Sequence, residues 1–512
     1  MAPKKEKKVT DPRPADLGTS SRRGFLKGSA GLVAGAAAAQ LLPTRVEAQQ
    51  PQNNAGTLQR LTNPNGRAVL IKDGMILSMD SKVGDFEKGD ILIQGKKIVS
   101  VGPNVEAPKS AIVVNAANRI VMPGLIDTHH HQYETILRSI LADGIIIVGG
   151  LPGPKNNYGS IIGQVFTPHY TPDDARIAEL VASLGQISAG VITTVDTSQV
   201  QLTPEHTDAC LAGLKESGRR CVFAYGAGGP NAAAKSQSEL MRLRQQYFAS
   251  DDQLLTLGSS GGTPEAWKFA RSLNVPIIIH VVGDNVMGRL QTFGDAGLMG
   301  PDCEYIHCTR LSDTMWKKIA DTGGKVSIAA AIEMQMQHGF PPVQEALDHG
   351  IQPSLSVDVE CNMTADLFTI MRTAFLLQRA LANEKIINKD PKAPALMTSR
   401  QAIEFGTING AKVAHIDSKT GSLTPGKEAD IIMLSTDRIN TLPLNNVPGA
   451  VVTLMDTSNV ENVFIAGKVA KFDGKLVGVD LNRVRADAEK ARDGLLMRAN
   501  FTRDLFGTCC AS

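Results

Sequence analysis

Short apolar segments alternate with helical segments from residue 120 to residue 358, and this alternation limits the possible folds more than any other feature of the chain. Strands that alternate with helices form parallel sheets, because each helix returns the chain to the edge at which the next strand starts. Eight repeats predict a (β/α)₈ barrel whose active site lies at the carboxyl ends of the strands. The eight predicted strands are Ile120–Asp127, Val191–Thr197, Cys221–Tyr225, Leu254–Leu257, Pro276–His280, Tyr305–Cys308, Lys325–Ala329 and Ser354–Asp358.

Both ends of the mature chain have a different pattern, in which short β segments are separated by Gly-containing turns such as Lys72-Asp73-Gly74. This pattern is typical of a small antiparallel β module. We expect residues 67–119 and 419–480 to form one β-sandwich domain and residues 120–418 to form the barrel inserted between them. Residues 481–512 are predicted to form a C-terminal helix and tail.

The first 48 residues have the organisation of an export signal. A basic head leads to Ser21-Arg22-Arg23-Gly24-Phe25-Leu26-Lys27, followed by a weakly apolar run and Val46-Glu47-Ala48. This segment resembles a twin-arginine signal peptide with cleavage after Ala48. The resemblance implies transit through the twin-arginine translocation machinery and a periplasmic or secreted location. Residues 49–66 are predicted to be a linker.

Composition excludes some functions. The formal net charge is only +2, and no basic domain follows the first thirty residues, so a nucleic-acid partner is not expected. The seven cysteines lack the spacing of a disulfide framework, and most are predicted to be buried thiols. The redox state of Cys509 and Cys510 stays open.

The first predicted barrel strand leads into His129-His130-His131. Side chains alternate along a strand, so His129 and His131 point to one side and can share a divalent ion. Three adjacent histidines alone would equally suit a surface cluster. However, His280, His307 and Asp358 also end predicted strands, and the carboxyl ends of barrel strands converge.

With these residues the chain resembles the metal-dependent amidohydrolase superfamily, and most closely its cytosine deaminase and atrazine chlorohydrolase-like branch. The matching motifs are Pro123-Gly124-Leu125-Ile126-Asp127-Thr128-His129-His130-His131, Gly190-Val191-Ile192-Thr193-Thr194-Val195-Asp196, Ile408-Asn409-Gly410-Ala411-Lys412 and Gly421-Ser422-Leu423-Thr424-Pro425-Gly426-Lys427-Glu428-Ala429-Asp430.

The resemblance implies that His129, His131, His280 and Asp358 bind one metal. His307 would contact the hydrolytic water or the substrate, and Asp358 would also take the proton of the water. The fourth predicted strand lacks the lysine or carboxylate that bridges two metals in relatives. We therefore expect one divalent metal, zinc or alternatively iron.

One position departs from the deaminase pattern. The resemblance places a proton-transferring glutamate three residues after His280, where this chain has Gly283. Glu333 could swing in as a substitute, and Asp284 is a second candidate.

The expected function is hydrolysis of a C–N bond in a small organic molecule, such as an amide, urea, carbamate or amino-heterocycle. Two alternatives stay open: a heterocycle deaminase or dehalogenating chlorohydrolase, and an inactive metal-bearing binding protein. Self-association is also left open.

Two further segments are candidates for the pocket. The Gly-, Pro- and Ile-rich stretch from Leu141 to Thr167 follows the metal strand and is predicted to be a lid, or an irregular excursion on the barrel rim. His338 is compatible with the pocket mouth and equally with a structural role.

Overall fold

The computed structural model describes residues 54–226 and 232–507, and the structural statements below concern these residues. The predicted signal peptide, Cys509 and Cys510 lie outside them. The strands, in chain order, are β1 Val69–Ile76, β2 Phe86–Gln94, β3 Lys97–Gly102, β4 Ile112–Asn115, β5 Arg119–Pro123, β6 Leu125–His130, β7 Val191–Asp196, β8 Arg220–Tyr225, β9 Leu255–Ser259, β10 Ile277–Val282, β11 Cys303–Thr309, β12 Lys325–Ile328, β13 Ser354–Leu355, β14 Ile431–Ser435, β15 Val460–Ile465, β16 Lys468–Phe472 and β17 Lys475–Leu476.

The α-helices are α1 Asn54–Thr62, α2 Pro172–Ser188, α3 Pro204–Ser217, α4 Ala232–Gln246, α5 Pro264–Ser272, α6 Leu290–Asp295, α7 Asp313–Asp321, α8 Ala330–Gln335, α9 Val343–Asp348, α10 Leu367–Ile387, α11 Ser399–Phe405, α12 Ile408–Val413, α13 Val447–Thr453 and α14 Leu481–Arg498. Shorter 3₁₀ segments cover Gln132–Leu137, Thr167–His169 and Thr457–Asn459, and a π-helical segment covers Gly159–Phe166. None of the helices in the described part of the chain is long and apolar enough to cross a bilayer.

Strands β6 to β13 form a parallel eight-stranded sheet in chain order, which confirms the predicted barrel. A parallel bridge between His130 and Asp358 joins its first strand to the segment that follows its last strand. Inside the barrel, the Thr128 hydroxyl lies 2.6 Å from the hydroxyls of both Ser327 and Ser354. These contacts tie β6 to the last two strands and bring the barrel close to full closure.

The helices that cover the barrel begin at residues suited to that position. At the start of α2 the Thr171 hydroxyl accepts a hydrogen bond from the backbone N–H of Asp174, and the Asp174 carboxylate accepts one from the Thr171 N–H. Pro172 occupies the first turn, where its missing N–H costs nothing. Helix α2 therefore starts at a fixed point and runs back along β6 and β7.

The two chain ends form one separate nine-stranded sheet, as predicted, although the sheet is mixed and not antiparallel. Strands β4 and β5 both run parallel to β1, which pairs with β4 at Val69–Lys72 and with β5 at Met75 and Ile76. The irregular part of β1 at Gly74 allows this change of partner, because a Cβ there would lie 2.6 Å from Val121 Cγ2. Apolar side chains from both chain ends share the core of this domain.

The predicted strand Ile120–Asp127 is in fact two strands that belong to different sheets. β5 pairs with β14 and β1 in the small domain, whereas β6 pairs with β7 in the barrel. The chain changes sheets at Gly124, where a Cβ would lie only 2.2 Å from Ile192 Cγ1. A continuous apolar run conceals this break, because both strands are buried.

Part of the predicted linker 49–66 is helical. Helix α1 buries Leu61 and rests Leu58 against the core of the small sheet. The two leucines are three residues apart and so lie on one helix face, but the polar residues around them conceal this signal. At the other end of the chain, α14 buries Val484 and Leu495 in the barrel's core cluster.

The described cysteines are buried and free, which confirms the prediction of buried thiols for Cys210, Cys221, Cys303, Cys308 and Cys361.

A buried ion pair connects the barrel to the small domain. Arg220, which is 1% exposed at the start of β8, donates to Asp430 Oδ2 at 3.0 Å and to Glu428 Oε2 at 2.6 Å. Both carboxylates lie just before β14. Replacing only the cation would leave the Asp430 carboxylate buried without its ion-pair partner, whereas Glu428 would keep Lys96 at 3.3 Å.

We therefore predict that Arg220→Ala lowers the free energy of unfolding by about 3–5 kcal/mol in denaturant titration. The control, Lys317→Ala, removes an exposed Lys317–Asp321 pair on α7 and should change stability by less than about 1 kcal/mol. Equal effects of the two substitutions would contradict this account.

Candidate active site

The carboxyl ends of three barrel strands bring together the side chains that the sequence marked as metal ligands. His129 and His131 come from the end of β6, His280 from β10, and Asp358 from the segment that follows β13. His129 Nε2 lies 2.9 Å and His131 Nε2 3.5 Å from Asp358 Oδ1, and the Nε2 atoms of His131 and His280 are 3.1 Å apart. Ligands about 2.1 Å from a tetrahedral ion lie about 3.4 Å from one another, so these separations suit one shared divalent ion.

Main-chain and hydroxyl groups orient the first two imidazoles. His131 Nδ1 lies 2.8 Å from the Thr197 carbonyl oxygen, to which it must donate, and this leaves Nε2 free to act as a ligand. His129 Nδ1 lies 3.1 Å from the Thr197 hydroxyl. One residue that follows β7 thus contacts both rings, and its carbonyl oxygen sets the tautomer of His131, a role that is common around metal sites. The sequence offered no signal for Thr197.

The protonation states also suit a metal. Burial lowers the pKa of His129, lowers that of His131 to about 3, and lowers that of His280 well below its usual value. Burial alone would raise the pKa of Asp358, but the facing imidazoles, His129 first, outweigh it and hold this pKa well below its usual range. Neutral imidazoles and an ionised carboxylate are the forms that coordinate a divalent ion.

His307 faces the other oxygen of Asp358. It lies at the end of β11 with its Nε2 3.7 Å from Asp358 Oδ2, and this nitrogen has no hydrogen-bond partner among the described residues. The separation is too long for a direct hydrogen bond. His307 and Asp358 Oδ2 therefore flank a place where a water or substrate atom can contact both.

Glu333 lies behind His307 and is 1% exposed. His307 Nδ1 lies 3.1 Å from Glu333 Oε1, which also accepts a hydrogen bond from the Ala329 N–H at 2.8 Å. Burial would lower the pKa of His307, but Asp358 and the hydrogen bond to Glu333 outweigh it and raise this pKa.

Glu333 therefore does not line the cavity in this structure, and its replacement of the missing glutamate stays a prediction. Helix α8 holds this residue, and both contacts turn its carboxylate toward His307. Asp284 does not enter the pocket either, because its carboxylate accepts hydrogen bonds from the N–H and the hydroxyl of Ser312 at the start of α7.

A cavity of about 280 Å³ opens over these side chains. Ile146 and Tyr158, from the predicted lid segment, form part of its wall together with Met287 and Met336. Backbone hydrogen bonds from Ile146 N–H to Met336 and from Tyr158 N–H to Ile145 hold this segment in place. None of the described residues that line the cavity is lysine or arginine.

Sequence reasoning missed a buried acid beside this cavity. The Tyr158 hydroxyl donates to Glu134 Oε1 at 2.5 Å, and burial raises the pKa of Glu134 to about 8. Glu134 lies only three residues after His131, and this proximity is the one signal that could have drawn attention to it.

Comparison with known proteins agrees with the fold. Residues 120–470 match the family model described as the amidohydrolase family. The chain belongs to the amidohydrolase family. Its similarity to a 5'-deoxyadenosine deaminase from Methanosarcina barkeri is 26% identity over 462 residues, which cover 84% of this chain and 99% of that one. A 5-methylthioadenosine/S-adenosylhomocysteine deaminase 1 from Syntrophus aciditrophicus is also 26% identical, over 83% of this chain and 98% of its own length.

Solved structures of other proteins have the same fold. An adenosine deaminase from Xanthomonas campestris with bound zinc superposes with a TM-score of 0.72 at 19% identity, covering 84% of this chain and 98% of that one. An atrazine chlorohydrolase from Arthrobacter aurescens, complexed with zinc, gives a TM-score of 0.72 at 18% identity, covering 83% and 100%. The prediction of an amidohydrolase with a TIM-type barrel is thus confirmed.

The contact between Glu333 and His307 leads to a testable expectation. In Glu333→Gln the hydrogen-bonding shape is kept but the negative charge that supports a proton on His307 is lost. We predict that kcat falls about 10- to 100-fold while bound metal is unchanged. Steady-state kinetics and metal analysis of the same preparation would measure both quantities.

The matched control is Glu345→Gln on α9, outside the cavity, which should retain wild-type kcat. Wild-type kcat in Glu333→Gln would show that Glu333 does not act through His307.

Proposed function

We propose that this amidohydrolase is a mononuclear enzyme that hydrolyses a C–N bond in a small neutral molecule, with zinc, or alternatively iron, held by His129, His131, His280 and Asp358. The observation that carries the proposal is the division of Asp358 between two partners. Its Oδ1 faces the ligand histidines, and its Oδ2 faces the free nitrogen of His307. Such a carboxylate can coordinate the metal through one oxygen and accept a proton from the reacting water through the other.

The residues have separate roles in the reaction. A bound divalent ion would supply Lewis acidity that activates a water near neutral pH. Asp358 Oδ2 would accept the proton of this water as its oxygen attacks the sp² carbon of the substrate. His307, supported by Glu333, would donate a hydrogen bond to the negative charge that develops on the attacked group.

Size and charge narrow the range of substrates. The 280 Å³ cavity is small for a ligand site, and none of its described lining residues is a lysine or arginine that could pair with a carboxylate or phosphate. Methionine and isoleucine side chains provide apolar walls. A small neutral amide, urea, carbamate or amino-heterocycle fits this environment.

Gly283 limits which leaving groups the enzyme can release, because glycine has no side chain to donate a proton. The resemblance assigns a proton-transferring glutamate to this position, but Gly283 has a left-handed backbone with φ of 58°, and a Cβ there would lie 3.1 Å from Val286 Cγ2. Among the described residues, Asp358 is the one carboxylate that lines the cavity. Amides, ureas and carbamates are therefore favoured over amino groups on aromatic rings, which need more proton assistance to leave.

A heterocycle deaminase or chlorohydrolase is the second candidate. It is favoured by the similarity over 83–84% of the chain to proteins named for 5'-deoxyadenosine and atrazine. An inactive binding protein is less well supported, because the four donor side chains lie together and contacts with Thr197 orient two of them.

Product analysis distinguishes these functions. Zinc-loaded protein would be incubated with phenylurea, 2-phenylacetamide, phenyl carbamate, 5'-deoxyadenosine and atrazine, with ammonia and chloride as the measured products. We predict ammonia from at least one of the first three compounds, and loss of activity on chelation with recovery on adding zinc.

In the same assay Asp358→Asn should reduce kcat by at least about 10³-fold, because it removes both a ligand and the proton acceptor. Ammonia from 5'-deoxyadenosine alone, or chloride from atrazine alone, would establish the second candidate. No turnover of any compound would contradict the proposed function.

We also propose export through the twin-arginine pathway to the periplasm or the exterior. Arg22-Arg23 and the small-residue run that ends at Ala48 support it. In a bacterial host, residues 1–48 fused to a folded fluorescent protein should deliver it to the periplasm. The Arg22→Lys/Arg23→Lys double variant should retain it in the cytoplasm, and equal export of both fusions would contradict the proposal.

A further inference from the structure

His338 is a buried imidazole in the cavity wall that the mechanism above does not use. It is 3% exposed, lies in the segment after α8, and its Nδ1 has no hydrogen-bond partner among the described residues. Buried polar atoms in folded proteins nearly always have a partner, and an unpartnered one destabilises the fold. The ring also lines the cavity, so a ligand bound there can contact it.

The position of His338 is closely fixed. Its main-chain carbonyl accepts a hydrogen bond from the Thr309 hydroxyl at 2.9 Å. The following residue, Gly339, has φ of 133°, and a Cβ there would lie 3.0 Å from Arg310 Cγ and 3.1 Å from Thr309 Cβ. Only glycine allows this segment to approach the end of β11 so closely.

The ring lies beside the reacting groups. It packs edge-on against His307, with centroids 4.4 Å apart and an interplanar angle of 70°. Because His307 faces the attacked group of the substrate, a substrate atom that reaches His338 must be close to the carbon that is attacked.

Resting on the hydrolase function proposed above, we propose that His338 is a substrate-binding residue whose imidazole hydrogen-bonds a nitrogen or oxygen attached to the scissile carbon, on the side opposite the leaving group. Ureas and carbamates have such an atom, and simple amides have carbon there. The site therefore selects ureido and carbamoyl compounds over amides of the same shape.

A matched pair of compounds tests this preference. Phenylurea and 2-phenylacetamide differ only in an NH that replaces a CH₂. With zinc-loaded wild type, kcat/KM for phenylurea should exceed that for 2-phenylacetamide by about tenfold or more. His338→Met should remove this ratio, whereas His338→Asn, which keeps a hydrogen-bonding group, should restore part of it.

Thermal stability separates this role from a structural one. Because His338→Met removes an unpartnered polar group from a buried place, Tm should rise, by about 2 °C. The control is His206→Met, at a buried histidine whose two ring nitrogens lie 2.9 Å from the Thr203 hydroxyl and 3.0 Å from the Tyr170 carbonyl oxygen. The control should lose stability and keep the substrate ratio.

Three results would overturn the role of His338. The first is an unchanged substrate ratio in His338→Met, and the second is a lower Tm in that variant. The third is a fall in bound zinc from two ions per chain in wild type to one in His338→Met. The last result would show that His338, His307 and Asp358, whose ligand atoms lie within 4.8 Å of one another, hold a second ion.

If wild type hydrolyses none of the compounds, the proposed function fails separately. The thermal shift caused by phenylurea then decides the role of His338. A shift in wild type that His338→Met loses supports the role, and an equal shift in both proteins, or none, overturns it.

Discussion

The hydrogen bonds that close the barrel at Asp358 are the constraint on which the site depends. The Asp358 N–H donates to the His129 carbonyl oxygen at 2.9 Å, and the Asp358 carbonyl oxygen accepts from the His131 N–H at 2.8 Å. The same contacts place the carboxylate against the two imidazoles. The same hydrogen bonds thus close the barrel and bring the metal ligands together. A barrel that failed to close would also lose the site.

This arrangement has a conformational cost. His307 and Asp358 both have left-handed backbones, with φ of 71° and 66°, where non-glycine residues are uncommon. Such conformations cost about 1–3 kcal/mol each and persist when the surrounding structure holds them. Here the neighbouring strands do so, and the turns direct both side chains over the end of the barrel. The strain therefore coincides with the two residues that flank the proposed position of the attacking water.

Much of this architecture could be predicted from the sequence because it depends on local patterns. Apolar strands followed by His129, His280, His307 and Asp358 indicate a barrel with ligands at one end, since parallel strands bring their carboxyl ends together. The split at Gly124 could not be predicted, because two buried strands in succession have the same composition as one.

Other features depend on contacts between distant segments. Thr197 orients two histidines from another strand, and Tyr158 meets Glu134 across the cavity wall. The position of Glu333 on α8 behind His307 could not be predicted, because it follows from packing and has no sequence signal. The unpartnered nitrogen of His338 is likewise visible only in three dimensions, and for this reason the sequence left its role open.

The central claim is that Asp358 shares one metal with His129, His131 and His280 and turns its second oxygen toward His307. Anomalous diffraction at the zinc edge from zinc-loaded crystals tests it most directly. The account predicts one strong peak within coordinating distance of the three histidines and Asp358 Oδ1, with His307 Nε2 beyond that distance. Two peaks, or a single peak bound between His307 and His338, would contradict it.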